Sequence, residues 1–389
     1  MKKILLSSMV MISLIFSGCT LDDDDANIGG GDPGDITAQN LSGSLTADLR
    51  LQSGIEYTLT GALFVRSGAT LSVDAGVTVK ALAGGTDVYI LVERGASIIT
   101  DGTATSPITF TSSATNPQPG DWGGLIINGN APLSRQGNAQ SNAAAEVNNT
   151  VFFGGDNPAD NSGILNYVII EYTGARIDDE AEHNGLTLNG IGSGTTITNI
   201  AILNGDDDAI EFFGGSVNAS NVLVVNARDD MFDFTQGYTG TCTNLYGVRE
   251  AAYSAVTSDP RGVEADGNLD GNSPTDIDQS AFVINGLTII NNGTGVEMSD
   301  AIKVRRGAKV LITNSYVVLG LDATYSDFID LEDAKGNATS DTEITAVGNA
   351  ANGLDINDNK NAPGATLNIS NGTVGFIDTS IFSWTGYNF

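Results

Sequence analysis

Cysteine, histidine and basic residues are all scarce in this chain of 389 residues. Two cysteines allow at most one disulfide, and a single histidine excludes a three-histidine metal site. Lys and Arg number 17 against 47 Asp and Glu, so the formal net charge is −30. A field of that sign repels phosphate groups, which excludes nucleic acid and makes anionic lipid surfaces poor partners.

The sequence after residue 36 also lacks the 3.6-residue periodicity of amphipathic helices and any apolar run long enough to span a bilayer. The chain instead contains 48 glycines, and Asn, Asp and Thr separate short runs of Val, Ile and Leu. This pattern predicts an all-β protein of short strands and tight turns.

The first residues predict export and lipid attachment. Lys2 and Lys3 precede an apolar run, residues 4–16, and Ser-Gly stands directly before Cys19. This is typical of a signal peptide over 1–18 followed by a lipidated Cys19, which anchors the protein in a membrane and leaves Cys242 unpaired. The alternative is a plain secretory signal in which the cysteine is incidental.

Residues 19–36 are expected to form a flexible acidic and Gly-rich tether. The run Asp22–Asp25 resembles the surface-export signal of lipoproteins in the Bacteroidota. That resemblance implies a position on the cell surface, in the outer leaflet of the outer membrane. The alternative interpretation is a solvated spacer of like charges.

The rest of the chain repeats. The segment 199–212 matches 221–234 at an offset of 22 residues, and 65–71 matches 92–98 at an offset of 27. A period in the twenties with short strands and varied insertions predicts a parallel β-helix, a solenoid in which each coil stacks on the next. We expect residues 37–389 to form one such domain.

This repeat predicts two columns of stacked side chains along the solenoid. In strand triplets such as Ile210-Glu211-Phe212 and Phe232-Asp233-Phe234, the outer residues are expected to point inward and the middle one to solvent. An asparagine precedes the other strand of each coil, and its amide can bond to the next one along the axis. The predicted ladder consists of Asn166, Asn199, Asn221, Asn244, Asn285 and Asn314.

A ladder of this kind resembles the one inside pectate-lyase-type β-helices. The block 120–133, the insertion 146–162 and the repeated Asp-Asp units also resemble an uncharacterised family of Bacteroidota surface lipoproteins. The resemblance implies a right-handed solenoid, in line with the usual hand of parallel crossovers.

Acidic turns on successive coils predict a calcium site. Two Asp-rich turns can together supply the six to eight oxygen ligands that calcium takes. The candidate ligands are Asp206, Asp207, Asp208, Asp229 and Asp230. The alternative is a solvated acidic face without an ion.

Catalysis is a second hypothesis. Asp208 and Asp230 on neighbouring coils would be the acid and base of a glycoside hydrolase. A calcium-dependent polysaccharide lyase would instead use Lys303 or Arg305. His183, the lone histidine, is interpreted as a solvated residue of an acidic loop.

The prediction that we favour is a non-catalytic surface lipoprotein that binds or presents to a glycan or another envelope component. Its ligand would contact Glu211, Asp233, Glu264 and Trp122, although Trp122 is equally compatible with plugging a coil end. The alternative function is a calcium-dependent polysaccharide lyase or glycoside hydrolase. The aromatic tail, residues 382–389, is expected to cap the last coil.

Overall fold

The computed structural model describes residues 39–177, 182–253, 255, 257–295, 297–351 and 353–389. The predicted signal peptide, Cys19 and the tether lie outside these residues and stay predictions. The described part contains 26 β-strands and two short 3₁₀ helices, Leu269–Gly271 and Thr379–Thr385. None of its helices has the length and apolar character that crossing a membrane requires.

The strands are short and follow one another through the whole described chain. The first thirteen are β1 (Asn40–Leu45), β2 (Leu49–Leu51), β3 (Tyr57–Val65), β4 (Thr70–Val73), β5 (Thr78–Ala81), β6 (Ile90–Val92), β7 (Ser97–Asp101), β8 (Ile108–Ser112), β9 (Leu125–Asn128), β10 (Ala143–Ala145), β11 (Asn148–Phe153), β12 (Gly163–Glu171) and β13 (Leu186–Asn189). The others are β14 (Thr196–Leu203), β15 (Ile210–Phe213), β16 (Ala219–Val225), β17 (Phe232–Thr235), β18 (Thr241–Arg249), β19 (Val263–Asp266), β20 (Ala281–Asn291), β21 (Met298–Arg305), β22 (Lys309–Leu319), β23 (Tyr325–Asp330), β24 (Glu343–Ala350), β25 (Asn359–Lys360) and β26 (Thr366–Asn371).

Each coil passes through three parallel sheets. Sheet 1 stacks the end of β3 with β6, β9, β13, β15, β17, β19, β21, β23 and β25. Sheets 2 and 3 use the first and second halves of long strands such as β14 and β16, which bend in the middle. Only β10 and β11 form a separate antiparallel hairpin among the named strands. The predicted right-handed parallel β-helix is confirmed.

The predicted register is also confirmed. Ile210 pairs with Phe232, 22 residues later, and Leu71 pairs with Ile98, 27 residues later. Because strand side chains alternate, this register places the outer residues of every triplet in one core. Ile210 and Phe232 are both fully buried. Phe212 stacks on Phe234 with ring centroids 4.9 Å apart, at about the spacing of neighbouring strands.

Single residues with positive φ make the bend between sheets 2 and 3. At four coils the residue is an asparagine: Asn199 (φ 52°), Asn221 (φ 55°), Asn244 (φ 56°) and Asn314 (φ 54°). Asparagine tolerates this left-handed conformation better than most residues with a side chain. One left-handed residue turns the chain without ending either strand.

Side-chain amides connect these bends along the solenoid axis. The Nδ2 atoms of Asn199, Asn221 and Asn244 donate to Oδ1 of Asn166, Asn199 and Asn221 at 2.9, 3.0 and 2.9 Å. Asn314 donates to Asn285 at 2.7 Å. Asn166 and Asn285 pair in register with threonines, one residue before the bend, where Tyr167 and Gly286 carry the positive φ. The six asparagines therefore occupy two adjacent positions and not one, which corrects the predicted single register.

The aromatic tail does not cover the last coil as expected. Phe382 packs against the outward face of sheet 3 in the middle of the solenoid, where Ile169, Leu223 and Tyr246 form an apolar stripe. Trp384 contacts the ring of Tyr167 edge to face at 5.3 Å. The tail lies along the side because that stripe offers apolar area to bury.

Candidate functional site

The middle residues of the triplets form a continuous column on sheet 1. Glu211 pairs with Asp233, and Asp233 pairs with Glu264. Lys303 and Asp330 continue the column in the next two coils. The prediction that these side chains face open solvent is wrong, because Glu211 is 9% exposed and Glu264 is 8% exposed.

The column is buried because insertions between the strands lie over it. Hairpin residues 143–153 and the segment 257–271 enclose a cavity of about 470 Å³, called the acidic cleft below. Its lining contains two arginines, Arg261 and Arg305, and eleven acidic residues. The acids are Glu146, Glu182, Asp207, Asp208, Glu211, Asp229, Asp230, Asp233, Asp259, Glu264 and Asp270.

Three overlapping groups of carboxylates converge in the cleft. In each group, one oxygen from each of three residues lies within 4.8 Å of the others. The groups are Asp208–Glu211–Asp233, Asp208–Asp229–Asp230 and Asp230–Asp233–Glu264. Because they share members, the residues form one patch that extends over three coils.

A fourth carboxylate group, Asp300–Asp327–Asp330, has the same geometry and a different charge balance. Lys303 lies 2.5 Å from Asp330, Lys360 lies 2.6 Å from Asp327, and Arg261 lies 3.3 Å from Asp300. Each carboxylate of this group therefore has its own cation, and the group needs no ion to balance it.

Burial raises the pKa of several carboxyl groups in the cleft. The pKa values of Asp208, Glu211, Asp230 and Asp233 lie well above the usual range, first because burial disfavours the ionised form and second because like charges surround each group. The pKa of Asp229 is raised to about 6 by burial, against a hydrogen bond from Thr257 that lowers it. The cleft therefore favours protons or a cation.

Backbone and side-chain donors hold these carboxylates in position. The carboxylate of Asp208 accepts the backbone N–H of Asp230 at 2.8 Å. Asn184 donates to Glu211 at 2.5 Å, and Thr257 donates to Asp229 at 2.7 Å. By contrast, Asp233 Oδ1 is buried and has no hydrogen-bond partner among the described residues. This oxygen is therefore available to a water molecule or a ligand.

The arginines of the cleft are committed to particular acids. Arg261 and Arg305 both bind Glu264, and Arg305 also donates to Asp266 at 2.8 Å. These pairs neutralise the Glu264 end of the cleft. The opposite end, around Asp208 and Asp233, keeps the excess of negative charge.

A third arginine, Arg249, is buried beneath the acidic turns. It is 1% exposed, and its Nη2 atom donates to the carbonyl oxygens of Asp229 and Arg261 at 2.7 and 3.0 Å. Its guanidinium therefore fixes the backbone that carries the carboxylates. Sequence reasoning missed Arg249 because it is the last residue of β18 and belongs to no motif.

The five predicted calcium ligands are only partly brought together. Asp208, Asp229 and Asp230 lie in one carboxylate group, and Asp207 lines the cleft 3.5 Å from Arg176. The carboxylate of Asp206 is held by Arg228 at 2.6 Å and by Arg176 at 3.6 Å. Asp206 thus belongs to a surface ion pair, whereas Glu211 and Asp233, predicted as ligand contacts, join the carboxylate groups.

The four residues of the catalytic alternative are also only partly brought together. Asp208 and Asp230 lie together in the cleft, and Arg305 lines its neutralised end. Lys303 does not line the cleft, because its ammonium group is paired with Asp330 in the next coil. A lyase that uses Lys303 as its base is therefore not supported by this arrangement.

Trp122 and His183 are both buried, which differs from their interpretation as a ligand contact and a solvated loop residue. Trp122 is 1% exposed and donates its indole N–H to the carbonyl of Glu171 at 2.8 Å, so it presents no face to a sugar and belongs to the core. His183 is also 1% exposed, with Nε2 2.9 Å from the carbonyl oxygen of Thr86. Burial lowers the pKa of His183 to about 4, so it is neutral at pH 7.

The donor set of the acidic cleft suits a hard cation. All of the convergent groups are carboxylate oxygens, which calcium prefers, and the described part of the cleft contains no imidazole or thiolate that would favour a transition metal. The buried, unpartnered oxygen of Asp233 fits a ligand position of such an ion.

A family model described as a pectate-lyase like beta helix domain matches residues 43–378. No curated protein and no solved structure matches the chain.

Proposed function

From the chain's membership of the family of pectate-lyase-like β-helix domains, we propose that it is a cell-surface protein that binds a carbohydrate through the acidic cleft. Membership supports a function related to carbohydrates and leaves binding and catalysis both open. In this proposal the cleft holds a calcium ion, and the ligand is a glycan or another hydroxyl-rich component of the cell envelope. The ligand is bound or presented without being cleaved.

The convergence of Asp208, Glu211 and Asp233 carries this proposal. Three carboxylate oxygens within 4.8 Å repel one another, and the repulsion grows as water is excluded. A calcium ion between the carboxylates would attract all three and offset their repulsion. Sugar hydroxyls are suitable oxygen ligands for the remaining coordination positions. Because calcium takes six to eight oxygens, a site made of a few carboxylates leaves positions for a ligand.

The ion pairs of Lys303 and Arg305 favour binding over a lyase reaction. Lys303 is paired with Asp330, and Arg305 is paired with Glu264 and Asp266, so neither is free to remove a proton from a sugar. Without a base next to the cation, β-elimination has no route through these residues.

A glycoside hydrolase is the second candidate, and one observation favours it. Glu211 and Asp233 lie side by side with raised pKa values, caused first by burial, and a raised pKa is what a general acid needs at neutral pH. A bound cation would hold both groups ionised and remove that general acid. Calcium occupancy and hydrolysis are therefore competing uses of the same pair.

The cellular position in this proposal rests on the sequence. Lipidation of Cys19 would anchor the chain in the outer membrane, and the acidic tether would carry the solenoid away from the lipid surface. Labelling of intact cells with an antibody against the solenoid, with and without external protease, tests this part separately. Replacement of Cys19 by Ser should release the protein from the membrane.

A glycan panel with and without calcium tests binding against catalysis. The purified full chain is incubated with neutral and acidic glycans in calcium or in chelator. We measure retention of the protein on each glycan, reducing ends, and the absorbance of unsaturated products. The expected result is calcium-dependent retention without product. Calcium-independent production of reducing ends would establish the hydrolase, and absence of any retention would overturn the binding proposal.

A further inference from the structure

A second cavity lies on the other side of the hairpin insertion. It has a volume of about 660 Å³ and shares no lining residue with the acidic cleft. The hairpin segment separates the two, since Ala143 and Ala144 line the acidic cleft whereas Asn142 lines the second cavity. The polar side chains that face it include Arg94, Arg135, Asn138, Gln140, Asn142 and Asp156.

Arg94 gives this cavity a positive charge that is not neutralised by a direct ion pair. Acids outnumber bases 47 to 17 in the chain, yet Arg94 donates only to neutral oxygens among the described residues. These are Asn142 Oδ1 at 3.1 Å and the carbonyl of Gly154 at 2.7 Å, both contacted through Nη1. The Nε and Nη2 donors of the guanidinium remain for a ligand.

Arg135 and Asp156 are the other charged residues of the cavity lining. Arg135 also lines the cavity and is paired with Asp278, which is outside the lining. Asp156 is an exposed acid of the lining and makes no ion pair within the described chain. The lining therefore contains two arginines and one acid, whereas the acidic cleft is lined by two arginines and eleven acids.

Side-chain amides supply the remaining donors and acceptors. Asn138 and Gln140 make no side-chain hydrogen bond with the described residues, and the Nδ2 group of Asn142 is free because only its Oδ1 atom is used. Amide groups of this kind suit hydroxyl groups, since each can donate and accept. The cavity thus combines one fork-shaped cation with several groups that can bind hydroxyls.

We propose that this cavity, called the Arg94 pocket, is a second binding site for a saccharide unit that carries one anionic group. The guanidinium of Arg94 binds the anion through two parallel N–H bonds, and the amides of Asn138, Gln140 and Asn142 bind the hydroxyls. Such a ligand is kept out of the cation-free acidic cleft by charge repulsion. The site is independent of calcium and of the function proposed for the cleft.

Binding of short oligosaccharides by calorimetry tests the Arg94 pocket. The probes are a uronic acid oligomer, a sulfated oligomer and a neutral oligomer of equal length, each titrated into the full chain in chelator. We expect binding of an anionic probe, weakened by salt, and no binding of the neutral one. Comparison of the two anionic probes identifies carboxylate or sulfate as the preferred group. Equal affinity for the neutral probe, or no affinity for either anionic probe, would overturn the proposal.

Matched variants locate the site. Arg94→Gln should weaken anion binding about tenfold or more, because it removes a charge-assisted bidentate contact. Arg50→Gln is the control, since Arg50 is an exposed arginine paired with Asp74 at 2.8 Å in the first coils. Glu211→Gln, in the acidic cleft, should also leave this binding unchanged.

Gln140→Ala keeps the test decisive if Arg94→Gln disturbs the hairpin. The Gln140 side chain makes no hydrogen bond within the described residues, so a weaker affinity in this variant reports the ligand and not a change in the fold. An anion affinity that is unchanged in both Arg94→Gln and Gln140→Ala would contradict the Arg94 pocket. Neither result would bear on glycan binding by the acidic cleft in calcium.

Discussion

The Asp208 carboxylate accepts a hydrogen bond from the backbone N–H of Asp230, which occupies the equivalent turn of the next coil, at 2.8 Å. Asp230 in turn accepts the backbone N–H of Arg261, one coil further on, at 2.5 Å. The acidic turns therefore act as structural links between coils as well as sources of charge. In Asp208 one carboxylate oxygen is used by the fold and the other remains for the cleft, whereas the second oxygen of Asp230 lies 3.8 Å from Nη1 of Arg261.

Substitutions at Asp208 should separate these two roles. Asp208→Asn keeps an acceptor for the Asp230 N–H and removes a buried like charge, so in chelator at pH 7 we expect a higher melting temperature. Asp208→Ala removes the acceptor and leaves a buried N–H unpaired, which costs about 1–3 kcal/mol. Thermal melting of both variants measures the difference. A lower melting temperature for Asp208→Asn would show that like-charge repulsion does not limit stability here.

Asp233→Asn should weaken calcium binding about tenfold or more, because the neutral amide reduces the ligand charge that sets calcium affinity. Isothermal titration with calcium in buffer free of other divalent ions measures this. The matched control is Asp341→Asn, an exposed surface acid whose side chain is 69% accessible. Equal loss in both variants would indicate a general charge effect and not a site.

Stability in chelator should fall as the pH rises from about 4 to 7. The pKa values of Asp229 and Asp300 are raised to about 6, in both cases first by burial. Because their pKa values are raised, Asp229 and Asp300 bind more protons in the folded state than in the unfolded state, and this protonation stabilises the fold. The stabilisation is fully present below the unfolded pKa near 3.8 and is lost as the pH passes 6.

The pH dependence should change when calcium is present. The ion replaces protons as the partner of the cleft carboxylates, so millimolar calcium should raise the melting temperature at pH 7 more than at pH 4.5. Melting curves at four pH values, each with calcium and with chelator, provide the comparison. A melting temperature at pH 7 that does not respond to calcium would contradict an ion in the cleft.

The asparagine ladder should contribute measurably to stability. Asn221→Ala removes two amide hydrogen bonds and forces alanine into a φ of 55°, so we expect a loss of about 2–4 kcal/mol. Asn221→Gly loses the same bonds but accepts the positive φ, and should cost less. Urea unfolding followed by circular dichroism measures both. Equal losses would mean that the ladder bonds, and not the backbone conformation, explain the asparagines.

Trp122→Phe should destabilise the solenoid without changing glycan binding. The substitution leaves the carbonyl of Glu171 without its indole donor and creates a small cavity, for an expected cost of about 1–3 kcal/mol. Affinity for any glycan retained by the wild type is measured in parallel. A selective loss of affinity at unchanged stability would return Trp122 to the ligand site.

Much of the fold could be predicted from local sequence. The match between Ile210 and Phe232 indicated the coil period, and the alternation of Glu211 with its apolar neighbours indicated which side chains face inward. The sequence predicts Asn166 at the same ladder position as Asn199, but Asn166 lies one residue earlier, because the sequence shows only that an asparagine is near the bend. Its neighbour Tyr167 takes the positive φ, an unusual choice that composition does not reveal.

The sequence by itself determined the repeat, the core and the stacking of Glu211, Asp233 and Glu264, because strand periodicity and coil length are written in consecutive residues. Only the tertiary structure decided that this column is buried, that Asp206 and Lys303 are tied to other partners, and that Trp122 is enclosed. These outcomes depend on where the insertions fold and which charges they bring close. Residues distant in sequence make those contacts, and no periodicity encodes them.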